Sequence, residues 1–202
     1  MALGAVDYRV YHAINLFFAR HPWLAHAFAG IEAVAPILVG VAAFGLWLLA
    51  RPGAGNRWKL ASASALASAA LALLVNQLIA KGWDRERPFA SHPSSHVWGG
   101  RSHDPSFPSD HASAAFGIGF AVLFFDRLAG GLFLAAATVI AIGRVFVGAH
   151  YPADVLAGCL VGLASALVVV RFGRPVLARS VKLIERLTDP LIAPAWRLFE
   201  RR

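Results

Sequence analysis

The stretch FPSDHASAAFGIGFAVLFFD, residues 107–126, places an acid and an imidazole, Asp110 and His111, at the start of an apolar run. The run itself, residues 112–126, contains one serine and a closing aspartate as its only polar side chains. A helix that crosses a bilayer needs about 20 residues at a rise of about 1.5 Å each. Because this run is shorter, we expect it to begin earlier in the chain or to sit partly inside a bundle of other helices.

Composition places the chain among membrane proteins. Hydrophobic residues make up 58% of its 202 residues and charged residues 15%, whereas soluble domains carry about 25% charged residues. Four further apolar blocks are candidates to cross a bilayer. They lie at 24–50, 59–80, 129–148 and 152–171. The blocks predict an all-α integral membrane bundle with about five transmembrane helices, or six if the N-terminal segment spans. We expect one domain over 1–202, with its core at about 24–171.

The segments that flank this core are amphipathic. Residues 5–20 alternate apolar and polar side chains at helical spacing, which is typical of a helix lying in the membrane interface. Residues 172–202 are basic and amphipathic. There we expect an interfacial helix, interrupted by prolines, with tryptophan at headgroup depth.

The net charge of +8 indicates an anionic partner. Because the basic residues cluster beside the apolar blocks, a membrane surface or an anionic substrate explains the charge better than a nucleic acid does. With five spans, twelve lysines and arginines fall on one side of the bilayer and seven on the other. Cytoplasmic loops carry the excess of basic residues, so the loop at 81–110 is predicted to face outward from a bacterial inner membrane.

Three separated segments bring chemically active side chains to that face. They are KGWDRERP at 81–88, PSDH at 108–111 and RVFVGAHYPAD at 144–154. Lys81, Arg87 and Arg144 would repel one another in a partly buried pocket unless an anion lay among them. Arginine matches phosphate oxygens in pairs, lysine adds a point charge, and helix starts also favour anions. The segments therefore predict a phosphate site.

His150 and Asp154 are four residues apart across a predicted helix start, so the carboxylate can accept a hydrogen bond from one ring nitrogen. The other nitrogen then keeps its lone pair toward the pocket, as in an activated nucleophile. His111, from a different segment, can protonate a leaving oxygen, since two histidines with unlike neighbours hold different protonation states. Taken alone, His150 and Asp154 could instead be a pair that fastens the helix start.

The set K-x5-RP, PSDH and R-x5-H-x3-D, spread over residues 81–154, resembles the three-part signature of the type-2 phosphatidic acid phosphatase superfamily. Within that superfamily it is most similar to the small bacterial undecaprenyl-diphosphatases. The resemblance implies an all-helical membrane enzyme that removes phosphate from a lipid through a phosphohistidine intermediate, without a metal or another cofactor.

Carried onto this chain, the resemblance assigns His150 as the nucleophile, Asp154 as the residue that orients it and His111 as the acid for the departing group. It assigns the phosphoryl oxygens to four side chains and one backbone N–H. These are the side chains of Lys81, Arg87, Ser109 and Arg144 and the N–H of Asp110. Because a carboxylate in the pocket would repel the substrate, the Asp110 side chain is expected to turn aside, to cap the helix or to pair with an arginine.

Three positions depart from the superfamily's usual pattern. Five residues rather than six separate Lys81 from the Arg-Pro pair, so whether the Lys81 side chain reaches the phosphate is left open. Asp110 stands where glycine is usual, a form that resembles the undecaprenyl-diphosphatase branch. Gly143 stands where serine is common, which removes one possible hydroxyl ligand.

Two further sets of titratable residues invite a role. Glu32 lies within the first predicted span, and an acid inside a bilayer is a functional candidate. It could pair with an arginine or a histidine of the pocket, or lie at headgroup depth without a role. The loop histidines His92, His96 and His103 match no familiar ligand spacing, so no metal site is predicted.

Together these features predict hydrolysis of a lipid-linked phosphate, most simply undecaprenyl diphosphate to undecaprenyl phosphate and phosphate. Alternatives of the same chemistry are a phosphatase for phosphatidic acid or phosphatidylglycerol phosphate, and a lipid phosphotransferase. A different class, a non-catalytic lipid-binding or transport protein, would need abundant polar residues lining a path through the spans, and the spans carry few. The sequence leaves the oligomeric state open.

Overall fold

The computed structural model describes residues 2–50, 52 and 56–200. Three of the twelve basic residues assigned to the cytoplasmic side, Arg51, Arg201 and Arg202, lie outside these residues. The regular elements of the described residues are all helices, which confirms the all-α prediction. They are α1 (Ala2–Arg20), α2 (Pro22–Leu49), α3 (Arg57–Gly82), α4 (Pro88–Ser91), α5 (Asp110–Leu123), α6 (Arg127–Phe146), α7 (Pro152–Val168), a π-helical turn (Val169–Gly173) and α8 (Arg174–Glu200).

The helices form a multi-pass membrane bundle. α2, α3 and α6 are each long and apolar enough to cross a membrane, and so is the continuous helix that begins at Pro152. α5 is apolar but has only 14 residues, which agrees with the expectation of a short third block inside the bundle. α1 is long enough, with 19 residues, but it is not among the candidate spans, and its interfacial location stays a prediction.

The C-terminal helix differs from the prediction. α7 continues through the π-helical turn into α8 without a loop, and α8 runs through Pro190 and Pro194. The expectation of a tail broken by prolines is therefore wrong. A proline inside a helix costs about 3 kcal/mol, and here tryptophans of α2 and α8 donate hydrogen bonds across the interface on both sides of the prolines. These contacts hold the helix intact.

α8 packs against the end of α2 and the start of α3. Lys59 of α3 is only 1% exposed, and its Nζ lies 2.5 Å from Asp189 and 3.3 Å from Glu185 of α8. Val181 is buried beside these ion pairs in an apolar cluster. A buried lysine is stable only when it is paired, so these contacts tie α8 to the bundle.

α5 lies at the centre of the bundle, in contact with α3, α6 and α7. It approaches α7 through glycines. A Cβ on Gly158 would lie 2.8 Å from the Cβ of Ala112 and 2.9 Å from the carbonyl oxygen of Ser109, and one on Gly162 would meet the α5 backbone as well. Because the helices touch so closely, the N–H of Ser109 donates to the carbonyl of Asp154 over 3.0 Å. This bond joins the start of α5 to the start of α7.

α1 packs against the loop between α4 and α5 and against the start of α7. The side chain of Asn15 donates to the carbonyl of His96 over 2.8 Å and accepts from its N–H over 3.0 Å. Tyr8 stacks on His92 with ring centroids 3.9 Å apart, and Tyr11 is fully buried. α1 is therefore a fixed part of the end of the bundle that carries the three motifs.

Candidate active site

The turn between α6 and α7 holds His150 in place. The N–H groups of Ala149 and His150 donate to the carbonyl of Arg144 over 3.1 and 3.2 Å. Gly148 has a φ of +81°, and a Cβ there would clash with the carbonyl oxygen of His96. Glycine alone combines this conformation with so close an approach, and the turn therefore delivers the histidine at a defined angle.

The two ring nitrogens of His150 have different partners. Nδ1 lies 2.8 Å from the carbonyl oxygen of Ser106, and Nε2 lies 3.0 Å from Nη1 of Arg87. Since a carbonyl only accepts and a guanidinium only donates, Nδ1 carries the hydrogen and Nε2 presents its lone pair. Burial lowers the pKa of the His150 imidazole to about 4, and Arg144 and Arg87 act in the same direction. The ring is therefore neutral at pH 7.

Asp154 sits behind this ring, in the first turn of α7. Its Oδ2 is 3.5 Å from Nδ1 of His150, so the predicted pair is present, although the Ser106 carbonyl is the closer partner of the ring. Oδ2 also accepts from the Ser106 hydroxyl and from the N–H of Tyr151, and Oδ1 accepts from Arg85 over 2.6 Å. Asp154 is fully buried and orients the ring mainly by holding Ser106.

Of the predicted phosphate ligands, Arg87 contacts the imidazole directly, and backbone bonds join Arg144 to His150 and Ser109 to Asp154. Arg87 is 8% exposed and is fixed by the carbonyls of Asp104 and Ala149. Ser109 Oγ and Arg144 Nε are both buried, and neither has a hydrogen-bond partner among the described residues. An unsatisfied buried donor costs about 1–3 kcal/mol. Ser109 Oγ and Arg144 Nε, on residues bonded to Asp154 and His150 through the backbone, could each donate to an oxyanion.

Glu32 forms a buried ion pair with Arg144. This contact decides among the roles left open for Glu32, since its partner is an arginine of the site. The pair does not engage Arg144 Nε. Glu32 thus offsets the charge of Arg144, and it is placed to compete with any anion that binds there.

His111 and Asp110 open α5, two residues and one residue after Ser109. The carboxylate of Asp110 turns aside as expected, although its partner is the amide of Asn76, over 2.7 Å, and not an arginine or its own helix. Asn76 also bonds to Ser113 over 2.9 Å. The Asp110 carboxylate is therefore held by a side chain of α3.

A cavity of about 250 Å³ begins at His111 and Asp110. Its walls come from the apolar faces of α2, α3 and α5. They are Pro36, Val39, Leu73, Ala114, Ala115 and Ile118. The cavity therefore leads from a titratable ring to apolar side chains of the membrane-spanning helices.

These motifs belong to a known family. The sequence pattern of the PAP2 superfamily matches residues 61–176, which is more than half of the chain. The chain is a member of the PAP2 superfamily. This is the phosphatidic acid phosphatase superfamily that the three motifs resemble, so the resemblance is confirmed.

Relatives of this PAP2 protein include named phosphatases. Undecaprenyl-diphosphatase BcrC of Bacillus subtilis (strain 168) is 26% identical over 189 residues, which cover 92% of this chain and 95% of the relative. The bacitracin transport permease protein BcrC of Bacillus licheniformis is 43% identical over 83 residues. That match spans 41% of each chain, less than half the length of the relative. The protein is a phosphatase of the PAP2 superfamily.

The solved structure of LpxE from Aquifex aeolicus has the same fold. It superposes with a TM-score of 0.68, covering 83% of this chain and 96% of that chain at 21% identity. The likeness confirms the PAP2 arrangement of helices.

Lys81, another predicted ligand, makes no polar contact with the cluster among the described residues. It lies exposed in the last turn of α3, and none of the hydrogen bonds or ion pairs found among the described residues involves it. α3 continues to Gly82, which leaves four residues, 83–86, between the helix and Arg87. Its contact with phosphate stays a prediction.

Sequence reasoning missed three residues of the PAP2 site. Ser106 holds both His150 and Asp154, Arg85 pairs with Asp154, and Asp7 of α1 pairs with Arg85. Arg85 lies within the first motif stretch, 81–88, and Ser106 lies just before PSDH, so their polarity was a signal. Asp7 lies far from every motif in sequence, and nothing in the sequence pointed to it.

Proposed function

We propose that the protein hydrolyses a lipid diphosphate, undecaprenyl diphosphate, to undecaprenyl phosphate and phosphate through a phosphohistidine on His150. The observation that carries the proposal is the fixed tautomer of His150. Its Nε2 has a lone pair directed at Arg87, while Nδ1–H donates to the Ser106 carbonyl. A neutral, oriented imidazole among cationic and unsatisfied donors is suited to attack phosphorus.

In the first step, Nε2 of His150 attacks the terminal phosphorus and the bond from phosphorus to the bridging oxygen breaks. A phosphoryl oxygen replaces Nε2 as the acceptor of the Arg87 N–H, and Ser109 Oγ and Arg144 Nε donate to the other oxygens. His111 gives its proton to the bridging oxygen, which leaves on undecaprenyl phosphate. The ring of His150 becomes cationic on phosphorylation, and Asp154, 3.5 Å from Nδ1, stabilises that charge.

In the second step, His111, now neutral, takes a proton from water. The water oxygen attacks phosphorus, the nitrogen–phosphorus bond breaks, and the electron pair returns to Nε2. Inorganic phosphate leaves, and both histidines regain their starting protonation states.

The position of the apolar cavity supports a lipid substrate. In an in-line displacement the leaving group departs on the side opposite the nucleophile, and the proposal puts the acid His111 on that side. The cavity that begins at His111 has apolar walls on α2, α3 and α5. A hydrocarbon chain attached to the leaving oxygen would lie in it, while the phosphate stays in the polar cluster.

Undecaprenyl diphosphate is the proposed substrate because of the relative that matches this chain over nearly its whole length, the Bacillus subtilis undecaprenyl-diphosphatase. The excess of basic residues on the opposite side supports a site facing outward from a bacterial inner membrane. Phosphatidic acid and phosphatidylglycerol phosphate share the chemistry. A phosphotransferase would differ only in using a second lipid in place of water.

A phosphate-release assay on the purified protein tests the proposal. We expect release from undecaprenyl diphosphate to exceed release from phosphatidic acid and phosphatidylglycerol phosphate. His150→Ala should abolish release, and His111→Ala should reduce it by about 100-fold or more. His103→Ala, which removes an exposed loop histidine, is the matched control and should retain full activity.

Each rival has its own outcome. Wild-type activity surviving in His150→Ala would remove the nucleophile from the proposal, and a preference for a glycerophospholipid would change the substrate. Transfer of labelled phosphate from the substrate to an added lipid, rather than to water, would identify a phosphotransferase. The Bacillus licheniformis relative is named as a transport protein, and a transport function alone predicts lipid binding without phosphate release.

A further inference from the structure

We propose that Asp7 of α1 is a positioning residue for catalysis, acting on Asp154 and His150 through Arg85. The inference rests on the proposed role of His150 as nucleophile. It extends the site to a helix that lies outside the three motifs and outside the matched PAP2 region, residues 61–176.

Arg85 bridges two carboxylates. Its Nη2 lies 2.6 Å from Oδ2 of Asp7, and its Nη1 lies 2.6 Å from Oδ1 of Asp154. The guanidinium is further held over the ring of Tyr151, 4.0 Å from its centroid. The side chain of Asp154 is fully buried, and those of Asp7 and Arg85 are 10% and 21% exposed. A partly buried chain of opposite charges is fixed far better than an exposed ion pair.

Asp7 also holds the start of α7 directly. Its Oδ1 accepts the N–H of Ala153 over 2.9 Å. Because Pro152 has no N–H, this is the first free amide of α7, and it is capped by a side chain from another helix. Asp154 accepts the N–H of Tyr151 over 2.9 Å. Asp7 and Asp154, joined by Arg85, therefore fix the first turn of α7, and this turn carries Asp154 behind His150.

The charge of Asp7 has a consequence for the chemical step. Arg85 divides its charge between two carboxylates. Without the charge of Asp7, the positive charge of Arg85 would interact with Asp154 alone. It would then offset more of the negative charge of Asp154, which stabilises the cationic, phosphorylated His150. The hydrogen-bond partners of Asp7 are Arg85 and Ala153, and neither is a predicted phosphate ligand. Its loss should therefore lower kcat and leave KM unchanged.

The test uses full-length protein and whichever lipid phosphate the wild type hydrolyses best. Asp7→Asn keeps the oxygen that caps Ala153 and removes the charge. We expect kcat to fall about tenfold with KM within twofold of wild type, and Asp7→Glu to recover part of the loss. In an Arg85→Gln background, Asp7→Asn should have no further effect on kcat, because the proposed coupling passes through Arg85.

Asp126→Asn is the matched control. Asp126 accepts the N–H of Ala129 over 2.9 Å at the start of α6 and pairs with Arg57 over 2.9 Å, so it makes the same two contacts at the other end of the bundle. Because the Arg57–Asp126 pair is more exposed, Asp126→Asn should lower the melting temperature by no more than Asp7→Asn does, and kcat should be unchanged.

Three results would overturn the inference: an Asp7→Asn enzyme with wild-type kcat, a defect confined to KM, or an equal loss of kcat with and without Arg85. Each of these leaves the proposed function standing as long as His150→Ala is inactive. Conversely, activity in His150→Ala would remove the proposed function, whatever Asp7 does.

Discussion

Gly158→Ala is expected to damage catalysis by separating α5 from α7. In the native protein a Cβ at residue 158 would lie 2.8 Å from the Cβ of Ala112 and 2.9 Å from the carbonyl oxygen of Ser109. The second obstacle is backbone and cannot rotate away. The helices must therefore move apart at the level where Ser109 meets Asp154.

The size of the movement follows from the contact. Ordinary van der Waals contact begins at 3.4 Å, so the new methyl group requires a shift of about 0.6 Å. Added to the 3.0 Å bond between Ser109 N and Asp154 O, that shift takes the bond to about 3.6 Å, beyond hydrogen-bonding range. A displacement of about 1 Å costs about 100-fold in rate, and we expect kcat/KM to fall between about 10- and 100-fold.

The measurement is kcat/KM for phosphate release, with the melting temperature in detergent as a check of folding. Overpacking costs about 1–3 kcal/mol of stability. Gly131→Ala is the control, since Gly131 lies in α6 and a Cβ there would have no other atom within 4 Å. It should stabilise the protein by up to about 1 kcal/mol with unchanged activity. A Gly158→Ala enzyme within threefold of wild-type kcat/KM would refute the reasoning about this helix contact.

Two further predictions concern the charges of the site. Burial lowers the pKa of His150 from 6.5 to about 4, so between these two pH values the unfolded chain binds a proton more readily than the folded protein does. The contribution of the neutral His150 to the free energy of unfolding should therefore be fully present above pH 6.5 and be lost as the pH falls toward 4. Melting temperatures of wild type and His150→Gln at pH 7 and pH 5 check this, and an equal drop in both would contradict it. Glu32→Gln should make vanadate inhibit the enzyme about tenfold more tightly, because it removes the carboxylate that competes with the anion for Arg144. A hydrogen bond to a charged group contributes about 1.5–3 kcal/mol. Unchanged or weaker inhibition would count against that competition.

The helices and the motif residues could be predicted because they follow from local pattern. Apolar blocks set the spans to within a few residues, and the short run after His111 forms the central helix α5. The spacing of His150 and Asp154 places both residues at one helix start. The sequence predicted that prolines would interrupt the C-terminal helix, and this is wrong. The prediction takes account of the energetic cost of the prolines but not of the packing of α8 against Lys59, which is invisible in the sequence.

The contacts between distant segments could not be predicted in the same way. The closest partner of the His150 ring is a backbone carbonyl, that of Ser106, and backbone groups leave no trace in a sequence. Asp7 and Arg85 are 78 residues apart. Their pairing depends on how α1 docks, which no local pattern encodes.

The length of α5 has a consequence for the depth of the reaction. Its 14 residues rise about 21 Å, about 9 Å less than the hydrocarbon thickness of about 30 Å. Its far end is tied to the starts of α3 and α6 by the pair of Arg57 and Asp126, so we expect the shortfall at the end that carries His111. In the proposed topology the phosphate would therefore meet His111 below the surface of the hydrocarbon layer, and we expect turnover to depend on bilayer thickness.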